Sequence, residues 1–567
     1  MIGLISATAA GAVARDRLAA AWPDRTRVYE GPVGEAVRSA FAECAQLVCF
    51  LATGATVRLL APLLADKAAD PGVVCVDEGG RFAVSLVGGH GGGANELARQ
   101  VGELLGAEPV VTTATDAVGL TGLDTLGLPC EGAVAAVSRA LLDGEPVALD
   151  AELAWPLPPL PVSPRGSYTI RLTDRDVEPG EREVLLRPPS LVVGVGASKG
   201  APVDEVLGLI EGTLREAGLS PRSVAELATV DAKSAEPGIL GAAERLGVPV
   251  VTYSAGELAA VEVPNPSAAP LAAVGTPSVA EAAALLGGGE LLVPKRKSDA
   301  SPAMATCAVV RRPGRGRLAV VGLGPGARDL LTPRATAELR RASVLVGLDQ
   351  YVDQIRDLLR PGTRVLESGL GAEEERARTA VEEARRGHAV ALIGSGDAGV
   401  YAMASPALAE ASDDIEVIGV PGVTAALAAA AILGAPLGHD HVSISLSDLH
   451  TPWEVIERRV RAAAEADLVV TFYNPRSRGR DWQLPKALGI LAEHRAPTTP
   501  VGVVRNASRP DGSSRVCTLA GIDPACVDMM TVVTVGNTAT RTVAGRMVTP
   551  RGYRWQSGRG ERPEETR

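Results

Sequence analysis

Short apolar runs alternate with stretches of helical periodicity along most of the chain. Runs at 47–51, 73–76, 83–86 and 110–113 have the length and composition of strands, and between them 57–65 and 95–106 carry apolar positions at helical spacing. The same alternation resumes at 191–195, 250–253, 318–321, 344–346, 389–393, 468–472 and 531–535. Strand, helix and strand in this order predict βαβ units with mostly parallel sheets, an α/β architecture. No fixed repeat in the range of about 20–50 residues is present, which argues against a solenoid.

Three breaks interrupt the pattern. Residues 155–165, Trp-Pro-Leu-Pro-Pro-Leu-Pro-Val-Ser-Pro-Arg, are too rich in proline for an ordinary helix and read as an extended connector. Residues 311–317, Arg-Arg-Pro-Gly-Arg-Gly-Arg, read as a linker before a new strand, and the polar tail after about Gly552 reads as a frayed end.

Composition adds limits. The 567 residues are enough for three to five domains at ~100–200 residues each. With 46% hydrophobic and 22% charged residues, a disordered or fibrous chain is excluded. Glycine (63) and proline (41) are abundant and aromatics make up only 3%, so cores of Ala, Val and Leu and glycine-rich loops are expected. A net charge of −11 gives no general attraction to nucleic acid or to an anionic membrane. Seven scattered cysteines without a CxxC pair fit a reduced, cytoplasmic protein. Residues 1–14 lack a basic segment and read as a first strand and turn rather than a signal peptide. The uncharged stretch 419–438 is dominated by Ala and Gly and reads as a buried helix rather than a membrane span.

The candidate chemistry lies where strands end. After the strand at 318–321 comes Gly322-Leu323-Gly324-Pro325-Gly326-Ala327. This satisfies the dinucleotide pattern G-x-G-x-x-G/A, and Asp349 stands where a ribose-binding acid would, so a nicotinamide enzyme is one reading and a plain glycine-rich turn another. Further blocks follow: Gly394-Ser395-Gly396-Asp397-Ala398-Gly399-Val400-Tyr401, Val420-Pro421-Gly422-Val423-Thr424-Ala425-Ala426 and Phe472-Tyr473-Asn474-Pro475-Arg476-Ser477-Arg478. Arg505-Asn506-Ala507-Ser508-Arg509 and Val533-Thr534-Val535-Gly536-Asn537-Thr538 complete the series.

In order and spacing these blocks resemble the tetrapyrrole methylases, and within them the precorrin-3B (or cobalt-factor III) C17-methyltransferases of corrin biosynthesis, over about 318–550. The resemblance implies S-adenosylmethionine as cofactor, held by Pro325, Ser395, Gly396, Asp397, Val400, Thr424, Ala425, Asn474 and Ala507. A helix cap is the alternative for Asp397. It also implies methylation at C17 with ring contraction, which removes a proton from a substrate oxygen. His439, His441 and Asp448 are candidate acid–base groups on chemical grounds, and a polar loop is the alternative. Tetrapyrroles at this stage carry many carboxylates, so Arg476, Arg478 and Arg480 are expected to clamp them, unless they are merely solvated. The chain departs from the wider pattern at Ala327, where Asp is common, and at Ala398, where Pro is.

In the first half, Val87-Gly88-Gly89-His90-Gly91-Gly92-Gly93-Ala94-Asn95 opens a helix. With Phe50-Leu51-Ala52-Thr53-Gly54, Val76-Asp77-Glu78, Thr112-Thr113-Ala114-Thr115-Asp116, Gly194-Val195-Gly196-Ala197-Ser198-Lys199-Gly200 and Thr229-Val230-Asp231-Ala232-Lys233-Ser234, it resembles the cobalt-precorrin-5A hydrolases over about 1–312. Many members have Cys-Arg where this chain has Ala197-Ser198. The family opens a lactone with water and releases acetaldehyde. That chemistry needs an activated water and oxyanion donors, which the amides of 88–95 with His90 are candidates to supply. Only six lysines occur, and of these Lys233 is a candidate catalytic cation and Lys199 a carboxylate binder.

The expected architecture is therefore multidomain α/β: hydrolase-like α/β domains followed by a two-domain tetrapyrrole methylase fold. The expected bounds are 1–117, 118–189 with the proline-rich connector, 190–312, 317–426 and 427–552. Precorrin or cobalt-corrin tetrapyrroles are the expected partners, with no nucleic acid, no membrane, no bound metal and a homodimeric state. A first half that only binds and delivers tetrapyrroles is the alternative.

Overall fold

The computed structural model describes residues 1–66, 69–89, 91–477 and 479–552, so the candidates His90 and Arg478 lie outside the described residues. The chain divides into two compact units, Met1–Gly314 with Arg360–Gly362, and Arg315–Leu359 with the residues from Thr363 on.

The first unit holds three sheets. Thr26–Tyr29, Ile2–Ser6, Gln46–Phe50 and Gly72–Val76 lie side by side in parallel, and the sheet is extended by the antiparallel Phe82–Val87 and by Glu108–Val110. Both faces of the central strands are covered by helices, and for that reason Leu47, Val48, Cys49 and Val73–Val76 read as unbroken apolar runs. The second sheet runs Cys130–Gly132, Glu183–Leu186, Tyr168–Leu172, Val147–Ala151. The third runs Val250–Tyr253, Val224–Val230, Leu191–Ala197, Ala305–Arg311, Glu290–Lys297, parallel for the first three strands and antiparallel for the rest.

The second unit has an all-parallel sheet in the order Arg364–Ser368, Val344–Leu348, Ala389–Gly394, Arg317–Gly322, Glu416–Val420. Every strand therefore ends at the same edge. Its other five-stranded sheet, His441–Ser445, Val469–Tyr473, Thr531–Val535, Pro500–Arg505, Ser513–Thr518, is parallel only in its first pair.

Several expectations are corrected in detail. Mostly parallel pairing fails in this last sheet. The strand expected at 110–113 is Glu108–Val110, because Thr113 leaves the sheet to accept a hydrogen bond from Asn95. The helix expected at 57–65 is Thr53–Leu60, and it stops ahead of Pro62, whose ring cannot continue it. The extended run 155–165 lies within the second sheet's domain: Leu157 and Leu160 enter that core, and the Ser163 amide donates to the Val147 carbonyl. The linker at 311–317 is shorter than expected, since Arg311 ends one strand and Arg317 begins the next. In the uncharged stretch 419–438 the helix covers only Ala425–Leu433 and leaves Leu427 and Ile432 exposed. Among the described residues no helix is long and apolar enough to cross a membrane, and no cluster of three or more His, Cys, Asp and Glu side chains forms a metal site.

Charge is buried inside the first unit. Asp174, only 1% exposed, accepts from the Ser190 hydroxyl at 2.8 Å and from Arg311 Nε and Nη2 at 2.6 and 2.7 Å. Removing one partner of such a pair strands the other. Arg311→Met should therefore destabilise this unit by about 3–5 kcal/mol in chemical denaturation, and adding Asp174→Leu should recover part of that loss. Equal losses in the single and double variants would contradict the account.

Candidate functional site

Backbone meets backbone where the parallel sheet ends. Leu323 and Gly324 donate to the carbonyls of Gly394 and Gly396 at 2.9 and 3.0 Å, and the Gly396 amide returns a bond to Gly324 at 2.8 Å. A Cβ on Gly322 would stand 2.7 Å from the Gly396 oxygen and 2.9 Å from the Gly422 nitrogen, and one on Gly422 would stand 2.2 Å from that same oxygen. Only glycine allows the three loops to touch in this way. Asp397 then ties them, its Oδ1 accepting from Gly399 N at 2.8 Å and its Oδ2 from Gly422 N at 3.0 Å. The carboxylate clasps two loops rather than capping a helix. Val400 closes the same turn through its amide to the Asp397 carbonyl.

Further residues come from the unit's other five-stranded sheet. Tyr473, at the end of Val469–Tyr473, reaches back across: its hydroxyl shares a 2.5 Å hydrogen bond with Thr424 Oγ1 and accepts from the Ala426 amide at 2.8 Å. Asn474 follows with a positive φ of 49°, its side chain donating to Ser445 Oγ at 3.1 Å. Ala507 packs in one apolar cluster with Val423 and Ala425. Tyr401 donates to the Ser443 carbonyl at 2.8 Å and its ring lies 5.1 Å from that of Tyr473. The Tyr351 phenol, raised above its ordinary value by burial, lies near Ser395, and Arg509 donates to the Pro325 carbonyl at 3.1 Å.

The residues expected to hold the cofactor, Pro325, Ser395, Gly396, Asp397, Val400, Thr424, Ala425, Asn474 and Ala507, are thus brought together. Tyr351, Tyr401, Tyr473 and Arg509 join them, although the sequence reading singled out none of the four as a site residue. One signal was present: seven tyrosines in 567 residues make any tyrosine beside a strand-end motif notable.

The other candidates fare differently. Asp448 accepts from Gln483 Nε2 at 3.0 Å, with Arg480 Nε 4.0 Å away. Arg480 spends its donors on the carbonyls of Leu446 and Asn474, at 2.8 and 3.0 Å, and on Ser477 Oγ. Arg476 donates to the Ala525 carbonyl at 2.7 Å. Arg480 thus positions loops, whereas Arg476 gives only Nη1 to backbone carbonyls and its Nε and Nη2 have no partner among the described residues. His439 and His441 are exposed at the start of His441–Ser445, the end of the strand away from Ser445 and Asn474, so the structure does not bring His439 to the site.

In the first unit the start of the helix Ala94–Leu105 is tied back to the glycines before it. The Ala94 and Asn95 amides donate to the carbonyls of Gly88 and Gly89 at 3.1 and 2.9 Å, and Gln46 holds the Gly92 carbonyl at 3.1 Å. Those two amides are therefore not available as oxyanion donors. At the carboxyl ends of Leu191–Ala197 and Val224–Val230, Lys199 is exposed while Lys233 pairs with Glu236 at 3.3 Å. Glu236, 7% exposed, also accepts from the Gly200 amide at 2.6 Å, so it joins the two lysine-bearing turns. Burial pushes its carboxyl up, but the Gly200 amide and Lys233 outweigh this and hold it below the ordinary value.

Burial raises the Tyr473 phenol above its ordinary value, against the Thr424 and Ala426 bonds. The neutral phenol is the stabilised form, so its contribution is complete below the ordinary tyrosine range and fades as pH climbs through the raised value. Tyr473→Phe should remove one late-ionising phenol from an alkaline spectrophotometric titration. It should also cost about 1–3 kcal/mol, because the Ala426 amide loses its acceptor. An unchanged titration would contradict this placement.

Comparison with known proteins follows the same division. Residues 317–523 match the model of Tetrapyrrole (Corrin/Porphyrin) Methylases, 191–310 match Cobalamin synthesis G C-terminus, and 35–116 match Cobalamin synthesis G N-terminal. A probable cobalt-factor III C(17)-methyltransferase of Salmonella typhimurium is 47% identical over 239 residues, 42% of this chain and 99% of that protein. A precorrin-3B C(17)-methyltransferase of Sinorhizobium is 42% identical, over 40% of this chain and 91% of its own length. A cobalt-factor III methyltransferase of Priestia megaterium is 41% identical over 248 residues, 42% of this chain and 45% of that protein. With strand-end loops that meet as described and relatives covered nearly end to end, the chain belongs to the tetrapyrrole methylase family, preceded by the two cobalamin synthesis G regions.

Proposed function

We propose that the second unit transfers a methyl group from S-adenosylmethionine to C17 of precorrin-3B or cobalt-factor III, with contraction of the macrocycle. The first unit, on this reading, is a cobalt-precorrin-5A lactone hydrolase. The observation that carries the proposal is the meeting of Gly322, Gly396 and Gly422, with Tyr473 and Asn474 contributed by the other five-stranded sheet.

The residues fit the cofactor. A wall free of Cβ atoms accepts a ligand against the backbone, and Asp397 has lone pairs left after its two amide bonds. Bound there, adenosylmethionine would supply a methyl group already activated by a sulfonium. The chain's part is to bind, orient and exclude water, because the electron-rich macrocycle needs no strong nucleophilic side chain. Pro325, Ser395 and Gly396 would line one side, Thr424 and Ala425 the floor, and Asn474 and Ala507 the other side. The neutral Tyr473 phenol braces Thr424 and adds no charge near the cationic sulfur. Asp448, which contacts Arg480 beside the Asn474 loop, would take the proton removed during contraction in preference to the exposed His439.

The committed amides of Ala94 and Asn95 favour a second reading of the first unit, as a module that binds and delivers tetrapyrroles without hydrolysing them. Fusion of either kind raises the local concentration of intermediates at the methylase.

Incubation of the full chain with adenosylmethionine and each tetrapyrrole, followed by product mass, tests the methyltransferase. A gain of one methyl group on one of the two is expected, and the one modified settles metal status. Binding of NAD in place of adenosylmethionine would overturn the reading. For the first unit, acetaldehyde released from cobalt-precorrin-5A supports the hydrolase, and its absence supports the delivery module.

A further inference from the structure

Two arginines lie at the edge of this site with no acid to neutralise them. Arg509 lies across the turn that follows Arg317–Gly322: its Nε is held by the Pro325 carbonyl, and a Cβ on Gly326 would stand 2.7 Å from its Cγ. Among the described residues its two Nη groups have no hydrogen-bond partner and no carboxylate within 4.0 Å. The anchored Nε fixes the plane of the guanidinium and leaves the outer fork open.

Arg376, on the helix Glu373–Arg385, is 6% exposed. It donates to Ser368 Oγ and the Gly369 carbonyl, each at 2.9 Å, and weakly to Met403 Sδ at 3.8 Å. No carboxylate among the described residues lies within ion-pair distance of it. Both positive charges lower the Tyr351 phenol, which burial raises and which lies near Ser395, while Glu373 acts on it in the opposite sense. Arg376, Arg509, Tyr351 and Ser395 thus share one region at the carboxyl edge of the parallel sheet. A guanidinium this deeply buried without a counter-ion is costly, and an anion arriving with a ligand would offset that cost.

We propose that Arg509, with Arg376 behind it, is a carboxylate subsite that takes one of the acetate or propionate groups on the macrocycle rim and so sets its orientation over the cofactor. This rests on the methyltransferase reading. Of the arginines expected from sequence for the same task, Arg480 is committed to backbone carbonyls and Arg476 gives Nη1 to them, whereas Arg509 is anchored on the Pro325 turn itself with its outer fork open. The cofactor's own amino-acid carboxylate offers the same chemistry, and the experiment separates the two sources.

Steady-state kinetics of the full chain would be measured for Arg509→Gln and Arg509→Lys beside the unaltered protein, together with the dissociation constant of S-adenosylhomocysteine for each. Loss of a bidentate charged contact predicts a KM for the tetrapyrrole raised about tenfold or more in Arg509→Gln, with S-adenosylhomocysteine binding within about twofold of the original. Arg509→Lys keeps the charge without the fork and should fall between the two. An unchanged KM in Arg509→Gln overturns the proposal. Weakened S-adenosylhomocysteine binding with unchanged KM overturns it as well, and assigns the fork to the cofactor. If the unaltered protein methylates neither tetrapyrrole, the methyltransferase reading itself has failed.

Discussion

The second unit depends on three backbones occupying space that side chains normally fill. At Gly322 and Gly422 a single added carbon would sit well inside contact distance of the Gly396 carbonyl. Because those carbons are missing, the loops that leave three parallel strands can hydrogen bond to one another, and Asp397 can reach from one to the next. The remaining geometry follows: a ligand can lie against peptide groups, Thr424 is presented at a helix start, and Tyr473 can reach from the other five-stranded sheet to brace it. The abundant glycine of this chain has its clearest physical use here.

Charge is managed in two different ways. In the first unit buried charge is matched within the chain, as at Asp174 with Arg311 and at Glu236 with Lys233. In the second, Arg317 is likewise matched by Glu338, whereas Arg376 and Arg509 lack acids among the described residues and gather beside the residues expected to hold the cofactor. Matched ions hold a fold together. A buried arginine without an acid can also be satisfied by carbonyls, as Arg495 is by Gly536 and Leu468, and what sets Arg509 apart is its open outer fork.

How much was legible in the sequence followed from the range of the interaction. Strand-to-turn blocks are local, since glycine, proline and a following apolar run are contiguous, and the α/β class and the blocks carrying Pro325, Gly396, Thr424 and Asn474 were readable for that reason. Tyr473 was not readable as a site residue because its partner Thr424 is 49 residues away, and Arg509 meets Pro325 across 184. Arg476 and Arg480 look alike in sequence whether they face solvent, substrate or carbonyl oxygens. His439 sits close in sequence to a strand that does reach the site, but at its far end. The proline-rich run 155–165 was read as extended, yet only burial of Leu157 and Leu160 shows that it serves a core.

On the proposed function, the cofactor is held because Gly322, Gly396 and Gly422 let the loops close on one another. Calorimetric titration of S-adenosylhomocysteine into the full chain and into Gly422→Ala tests it directly. The account predicts one site per chain in the original and an affinity at least about a hundredfold lower in the variant, since the added Cβ must push the loops apart. Equal affinity in the two proteins would contradict it.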